Sequence, residues 1–286
     1  MRIVPYRRVI RSRRARSRYH SCVVGIALGF LGFAVVFGVL EWRWPARRQS
    51  RVRRGFRTDI VYWVVAPPVV RALTVATVVI VAVVVARVAG VPANRDAIVA
   101  FVHRRTWFGD LPRGVQAVLV LVVGDLVGYW VHRALHARPL WRFHAVHHSS
   151  QDLDWLSTTR GHPVDEVLIR TVQTVTALAV GVDATVVSAY VPVLLVLAIG
   201  VHANVPWRFG SLRYAIASPA FHRWHHAKDA EGVDKNFAGL FPLWDLVFGT
   251  YYLPRALPEE LGVREAVPEG VLRQLAWPFR RSRAAR

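Results

Sequence analysis

The sequence predicts an all-α fold, a polytopic transmembrane helical domain that carries a histidine-rich helical cap. Three observations lead there. Long Val/Ala/Leu runs, such as 75–86 and 115–123, hold no charged residue, and a bilayer rather than a water-soluble core calls for such runs. Arginine clusters stand at the ends of the first apolar stretch. Ten of the twelve histidines fall between positions 132 and 226, around the ends of apolar segments.

Residues 1–21 read as a basic N-terminal tail with Arg2, Arg7, Arg8, Arg11, Arg13, Arg14, Arg16 and Arg18. Residues 22–42 read as the first span. It ends in Glu41-Trp42-Arg43-Trp44 rather than a small-residue cleavage site, so it is expected to be retained, with tryptophans at the interface. Residues 43–58 are a basic connector. Residues 60–90 are apolar but interrupted by Pro67-Pro68 and Arg71, which predicts a kinked or two-part segment. Residues 91–113 read as a loop. The apolar part of 115–136 is long enough to cross most of a bilayer core. Segments 164–183 and 185–202, punctuated by Gly181 and Asp183, predict an antiparallel helical hairpin. Residues 205–228 and 232–254 are more polar and aromatic and read as the cap. The expected organisation is one membrane domain over 22–254 and a C-terminal extension over 255–286 that ends in a basic tail.

The formal net charge is +20. Because the arginines flank membrane segments, anionic lipid headgroups are their expected partners, and nucleic acid is not. Cys22 is the single cysteine, which excludes an intrachain disulfide and a cysteine-ligated iron–sulfur cluster. Any electrons the protein uses must come from outside it.

The histidines fall into motifs. His132 and His136, four residues apart, share one helix face. His144-Ala-Val-His147-His148 and His222-Arg-Trp-His225-His226 repeat a His-x-x-His-His pattern, in which two or three imidazoles are expected to converge. His162-Pro163 and His202-Ala-Asn204 complete the set. Ten imidazoles exceed what one metal ion binds; two ions with four or five nitrogen ligands each account for the number. Neither His-x-x-His-His motif contains the carboxylate base of a zinc hydrolase, and no Glu-x-x-His occurs. An all-nitrogen pair of ions in a membrane points to iron and O₂, while ligand chemistry by itself leaves zinc and copper open. A zinc-dependent membrane hydrolase and a non-catalytic metal- or lipid-binding protein are the alternatives.

Metal-bound histidines usually direct their second nitrogen to a carboxylate or carbonyl. Asp125, two helical turns before His132, is one candidate support. Asp154, Asp165, Glu166 and Asp234 are others, and Asn204 and Asn236 are expected as hydrogen-bonding groups. No catalytic residue beyond the metal ligands is expected. Trp130, Trp141, Trp155, Trp224 and Trp244 interleave with the motifs and read mainly as interfacial anchors and packing.

These residues resemble the fatty acid hydroxylase/sterol desaturase superfamily. The similarity runs from Arg57-Thr-Asp-Ile-Val-Tyr-Trp63 to Tyr252. It takes in Gly128-Tyr-Trp-Val-His132-Arg-Ala-Leu-His136, Trp141-Arg-Phe-His144-Ala-Val-His147-His148, His162-Pro163, His202-Ala-Asn204 and Phe221-His-Arg-Trp-His-His226. Asp234-Lys-Asn-Phe-Ala-Gly239 and Trp244-Asp-Leu-Val-Phe-Gly-Thr250 close it. The resemblance implies a cytosolic histidine cap holding two iron ions, and O₂-dependent hydroxylation or desaturation of a fatty acyl, sterol or isoprenoid lipid. It implies a bacterial cell-membrane protein. With no fused cytochrome b5-like domain in the sequence, the expected electron donor is a separate ferredoxin- or cytochrome b5-like protein with its reductase.

Overall fold

The computed structural model describes residues 25–280 except 26, 105 and 183. The expected N-terminal basic tail, Cys22, Asp183 and the final arginines Arg281, Arg283 and Arg286 lie outside the described residues. Within them the chain is helical: α1 over 27–43, α2 Phe56–Val88, α3 Arg95–Val102, α4 Arg113–Leu135, α5 Trp141–His148, α6 Pro163–Val180, α7 Ala184–His202, α8 Pro219–His225, α9 Leu243–Val247 and α10 Val271–Ala276. A 3₁₀ turn, Trp155–Thr159, sits between α5 and α6.

Two helices, α2 and α4, are long and apolar enough to cross a membrane, yet only 11% and 22% of their most apolar windows are buried. A helix that is apolar and uncovered needs a nonpolar surrounding. Val64, Leu73, Val79 and Ile80 of α2 and Val118 of α4 are exposed, as are Leu28, Val35 and Val39 of α1.

Three expectations are corrected here. Of the kinked or two-part segment expected at 60–90, the two-part form is set aside: Phe56–Val88 is one helix of 33 residues that contains both Pro67 and Pro68. Prolines leave only the preceding-turn carbonyls without a donor, and a helix bonded on both sides of them continues. The loop at 91–113 contains α3, started by Asn94, whose side chain accepts from the Ala97 N–H at 2.8 Å. The hairpin of 164–202 does not pack as a pair. Instead α6 lies against α2 and α4, while α7 lies against α4, α8 and the 155–159 turn. The reason is local. Gly181 ends α6 in the left-handed conformation, and the 104–109 loop docks there, Thr106 Oγ1 donating to the Val180 carbonyl at 2.6 Å and Arg104 to the Ala179 carbonyl at 3.2 Å.

The aromatic cluster that joins these helices lies at the cap end. Phe37, Trp63, Trp155, Leu156, Ile199 and Val205 are buried together, with Phe30 and Phe33 packed on them. Below it runs a buried ionic chain. Asp59 of α2 accepts from Arg160 Nε at 2.6 Å and pairs with Arg53 at 2.8 Å, and Arg53 also pairs with Asp154. Burying such charges is tolerable because each is met by an opposite one. Residues 255–280 fold back over the cap: Arg47 donates to the carbonyls of Pro258 and Glu259, and the Gly262 N–H donates to the His226 carbonyl.

Candidate metal centre

The histidines arrive at the C-terminal ends of four helices. His132 lies in the last turn of α4 and His136 caps it. His147 and His148 end α5, His202 ends α7, and His222 and His225 fall in the last turn of α8, which His226 caps. The carbonyl ends of helices carry partial negative charge, each favouring a nearby cation by about 0.3–1 kcal/mol.

Nine histidines form two groups. His132, His136, His144, His148 and His225 form one, and His147, His202, His222 and His226 the other; within each, the ligand nitrogens lie within 4.8 Å of one another. At a metal–nitrogen distance of about 2.1 Å, two nitrogens on opposite sides of an ion stand about 4.2 Å apart, so each group encloses space of ionic size. The groups share a wall, where His148 stacks on His226 at 4.3 Å between ring centroids.

Of the two or three imidazoles expected to converge in each His-x-x-His-His motif, two do. Successive helical residues point about 100° apart. The first and last histidines of each motif therefore serve one group and the middle one the other. His144 and His148 go with the five, and His147 with the four. The second motif does the reverse, giving His222 and His226 to the four and His225 to the five.

His162 is brought to neither group, and the ten expected ligands reduce to nine clustered ones. Its Nδ1 accepts from the Val164 N–H at 3.2 Å, capping α6, and its Nε2 donates to the Leu275 carbonyl at 3.2 Å. Both ring nitrogens are thus used by the protein.

Hydrogen bonds at Nδ1 orient six of the nine rings. Nδ1 donates to the Phe237 carbonyl from His132 (2.7 Å), to the Arg160 carbonyl from His147 (2.8 Å), to the Ala198 carbonyl from His202 (2.7 Å) and to the Lys235 carbonyl from His225 (2.8 Å). It meets a carboxylate in His144 with Asp165 (2.7 Å) and in His136 with Asp234 (3.0 Å). Carbonyls only accept, so these Nδ1 atoms carry the protons, and Nε2 of a neutral ring is then a bare lone pair. His132 Nε2 faces His144 Nε2 at 3.0 Å, and His147 Nε2 faces His202 Nε2 at 3.3 Å. In the second pair both rings give their Nδ1 proton to a carbonyl, so neither Nε2 has a proton to give. His136 Nε2 and His225 Nε2 are buried with no hydrogen-bond partner. Lone pairs gathered in this way repel unless a cation stands among them, and the donor set fits a transition-metal pair.

Burial, and after it the neighbouring imidazoles, holds His144, His148, His222, His225 and His226 well below the ordinary histidine value. The rings are therefore neutral, as ligands must be.

The expected supporting residues divide. Asp165 and Asp234 touch histidines directly. Asp125 does not; its carboxylate accepts from the Leu240 and Phe241 N–H groups, both at 2.8 Å, and so holds the loop that carries Phe237. Asp154 caps the 155–159 turn and pairs with Arg53. Glu166 pairs with Arg170 one turn on. Asn204 donates to the Arg47 carbonyl and accepts from Arg223, and Asn236 ties Phe221 to Tyr252. Of the tryptophans, Trp155 packs in the aromatic cluster, Trp224 donates to the Ala256 carbonyl, Trp130 is exposed, and Trp244 packs beside Tyr129 and Phe237. Trp141 lies against three ligand rings, 5.1 Å from His136, 5.4 Å from His148 and 6.2 Å from His144.

Sequence reasoning missed Asp245, Asp59 and Arg160. Asp245 is wholly buried and accepts from the Phe237 N–H at 2.7 Å and the Ala238 N–H at 2.9 Å, fixing the carbonyl that His132 uses. A lone Asp within an aromatic Trp244–Thr250 stretch was its available signal.

Residues 117–250 match the fatty acid hydroxylase family. The chain is 33% identical over 181 residues to an ornithine lipid hydroxylase of Rhizobium tropici, covering 63% of this chain and 55% of that protein. It is 32% identical over 128 residues to the alkylglycerol monooxygenase of Homo sapiens, covering 44% of this chain and 28% of that one. A putative methylsterol monooxygenase of Dictyostelium discoideum is 26% identical over 132 residues, 45% of this chain and 48% of that protein. The chain thus spans about half or less of the length of these relatives. No solved structure matches it.

Proposed function

We propose that this chain is a membrane-bound, O₂-dependent lipid hydroxylase of the fatty acid hydroxylase/sterol desaturase superfamily with two iron ions, a reading supported by the match of residues 117–250 and by the likeness to an ornithine lipid hydroxylase. The observation that carries the reading is the pair of all-imidazole groups set at the ends of lipid-facing helices. Three relatives named for hydroxylation or monooxygenation of lipids favour insertion of oxygen over desaturation.

The five-histidine and four-histidine groups would each hold one ion. Bound iron would supply the activation of O₂ that no side chain can provide for an unactivated C–H bond. The balance is R–H + O₂ + 2 e⁻ + 2 H⁺ → R–OH + H₂O. The chain's own residues do the rest. The carbonyls of Phe237, Arg160, Ala198 and Lys235 fix ring orientation. Asp165 and Asp234 add negative charge behind two rings, which raises ligand basicity. Phe237, buried against His132, His136 and His225, keeps water from that wall. An amphipathic lipid would enter from the bilayer beside the apolar helices. The electron donor would be a separate ferredoxin- or cytochrome b5-like protein, and the cap would face the cytoplasm of a bacterial cell.

Metal analysis and lipid profiling test this together. About two irons per chain are expected. O₂ uptake should require both reductant and lipid, and membranes holding active protein should contain a lipid heavier by one oxygen. Zinc in place of iron, with activity indifferent to reductant, would overturn the reading.

A further inference from the structure

The nine clustered histidines are reached from outside by few groups. Among the described residues, two non-histidine aromatic rings touch them. Phe237 lies 4.9 Å from His136, 5.8 Å from His132 and 5.9 Å from His225, but is only 2% exposed. Trp141 is half-buried, with one edge at the surface and its ring against His136, His144 and His148. All three belong to the five-histidine group. Trp141 is therefore the aromatic bridge between solvent and the site.

Exposed arginines surround it. Arg138 and Arg142 flank it in sequence and Arg264 stands beside Glu265; all three are exposed. Two nearby carboxylates, Glu265 and Asp234, are exposed as well, and each is bonded to a site group. Glu265 accepts the Trp141 indole N–H at 2.9 Å, and Asp234 accepts from His136. The three exposed arginines outnumber these two carboxylates, which suits an acidic partner.

We propose that Trp141 is where electrons enter the five-histidine group, and that the arginine-flanked surface around it receives an acidic one-electron carrier protein. This rests on the oxygenase reading above. Each hydroxylation takes two electrons, delivered singly by the reduced carrier, which is oxidised as the site is reduced. Trp141 undergoes no net change; its ring supplies a path across the gap between carrier and imidazoles. The Glu265 carboxylate holds the indole in that position.

The test uses full-length, iron-loaded protein in nanodiscs under anaerobic conditions. The probes are a reduced acidic [2Fe–2S] ferredoxin and, separately, dithionite, with reduction followed by iron absorbance in a stopped-flow instrument. Trp141→Leu is expected to keep its iron and to be reduced by ferredoxin about tenfold or more slowly, while dithionite reduces it within about twofold of the parent rate. Trp141→Phe, which keeps a ring, is expected to recover most of the ferredoxin rate. An Arg138→Glu/Arg142→Glu variant is expected to weaken ferredoxin binding about tenfold and to flatten its salt dependence; it keeps the test open if Trp141→Leu does not fold. Ferredoxin reduction of iron-loaded Trp141→Leu at the parent rate would overturn the proposal. So would a double arginine variant that loses binding to anionic lipid vesicles but keeps its ferredoxin rate, since that face would then be seated on the membrane. A parent protein that binds zinc and no iron would fail earlier, at metal analysis, and would remove the oxygenase reading itself.

Discussion

His147 and His148 are consecutive, yet their rings stand 5.5 Å apart at 88° to each other, and each belongs to a different histidine group. The same division between neighbours occurs at His225 and His226, whose rings lie 5.5 Å apart at 87°. Adjacent helical residues would thus serve separate ions, which sets up unequal consequences for their removal.

His147→Ala leaves three nitrogens in its group, and His148→Ala leaves four in the other. Four nitrogen donors complete a tetrahedral set and three do not. The first variant should therefore lose more metal than the second, as read by elemental analysis of purified protein. Equal losses would contradict the two-group assignment.

Asp165→Asn keeps the shape behind His144 and removes the charge. Loss of such a partner typically lowers metal affinity about 10–100-fold. Competition with a chelator of known affinity measures it. Asp234→Asn should have the smaller effect, because the Asp234 side chain is 64% exposed while that of Asp165 is 5% exposed.

Asp59→Asn removes the carboxylate shared by Arg53 and Arg160, leaving buried guanidinium groups short of their partner. Breaking a buried pair costs about 3–5 kcal/mol. Thermal unfolding in detergent should show a lowered midpoint. Because the Arg160 carbonyl orients His147, metal retention in the four-histidine group should fall as well. An unchanged melting curve would mean the ionic chain does not support the fold.

Protein stripped of metal should lose stability as pH falls. Above the ordinary histidine value of 6.5, folded and unfolded chains both hold the cap imidazoles neutral. Below it the unfolded chain takes up protons that burial denies to His144, His148, His222, His225 and His226 in the folded one. The unfolded state then binds more protons, so stability declines progressively below that value and is level above it. Melting midpoints from pH 8 to pH 5 would check this, and a flat profile would contradict it.

Much of this centre was legible in the order of residues. The number of histidines suggested two ions, and His132 and His136 declared a shared helix face by their spacing. The partition of each repeated motif was not legible, since it depends on how α5 and α8 are rotated about their axes. His162 was misread because a histidine before a proline fits two roles, ligand and helix cap, and only its meeting with Leu275, 113 positions away, decides between them. Asp154 was read as a histidine support because its true partner, Arg53, lies 101 positions earlier in a connector that looked merely basic. The continuity of α2 through Pro67-Pro68 was hidden for another reason. Local preference disfavours it, but where no water competes for backbone groups the rest of the helix holds.

The crossed motifs have a thermodynamic consequence. α5 and α8 each send side chains into both groups, so an ion seated in either one draws the two helices into register. The entropy of that ordering is lost once, at the first binding event. The second ion meets helices already arranged and should bind more tightly, by the reciprocity that links any two sites sharing a mobile element. Loading would then be all-or-none: chains with both ions or with neither, and few with one.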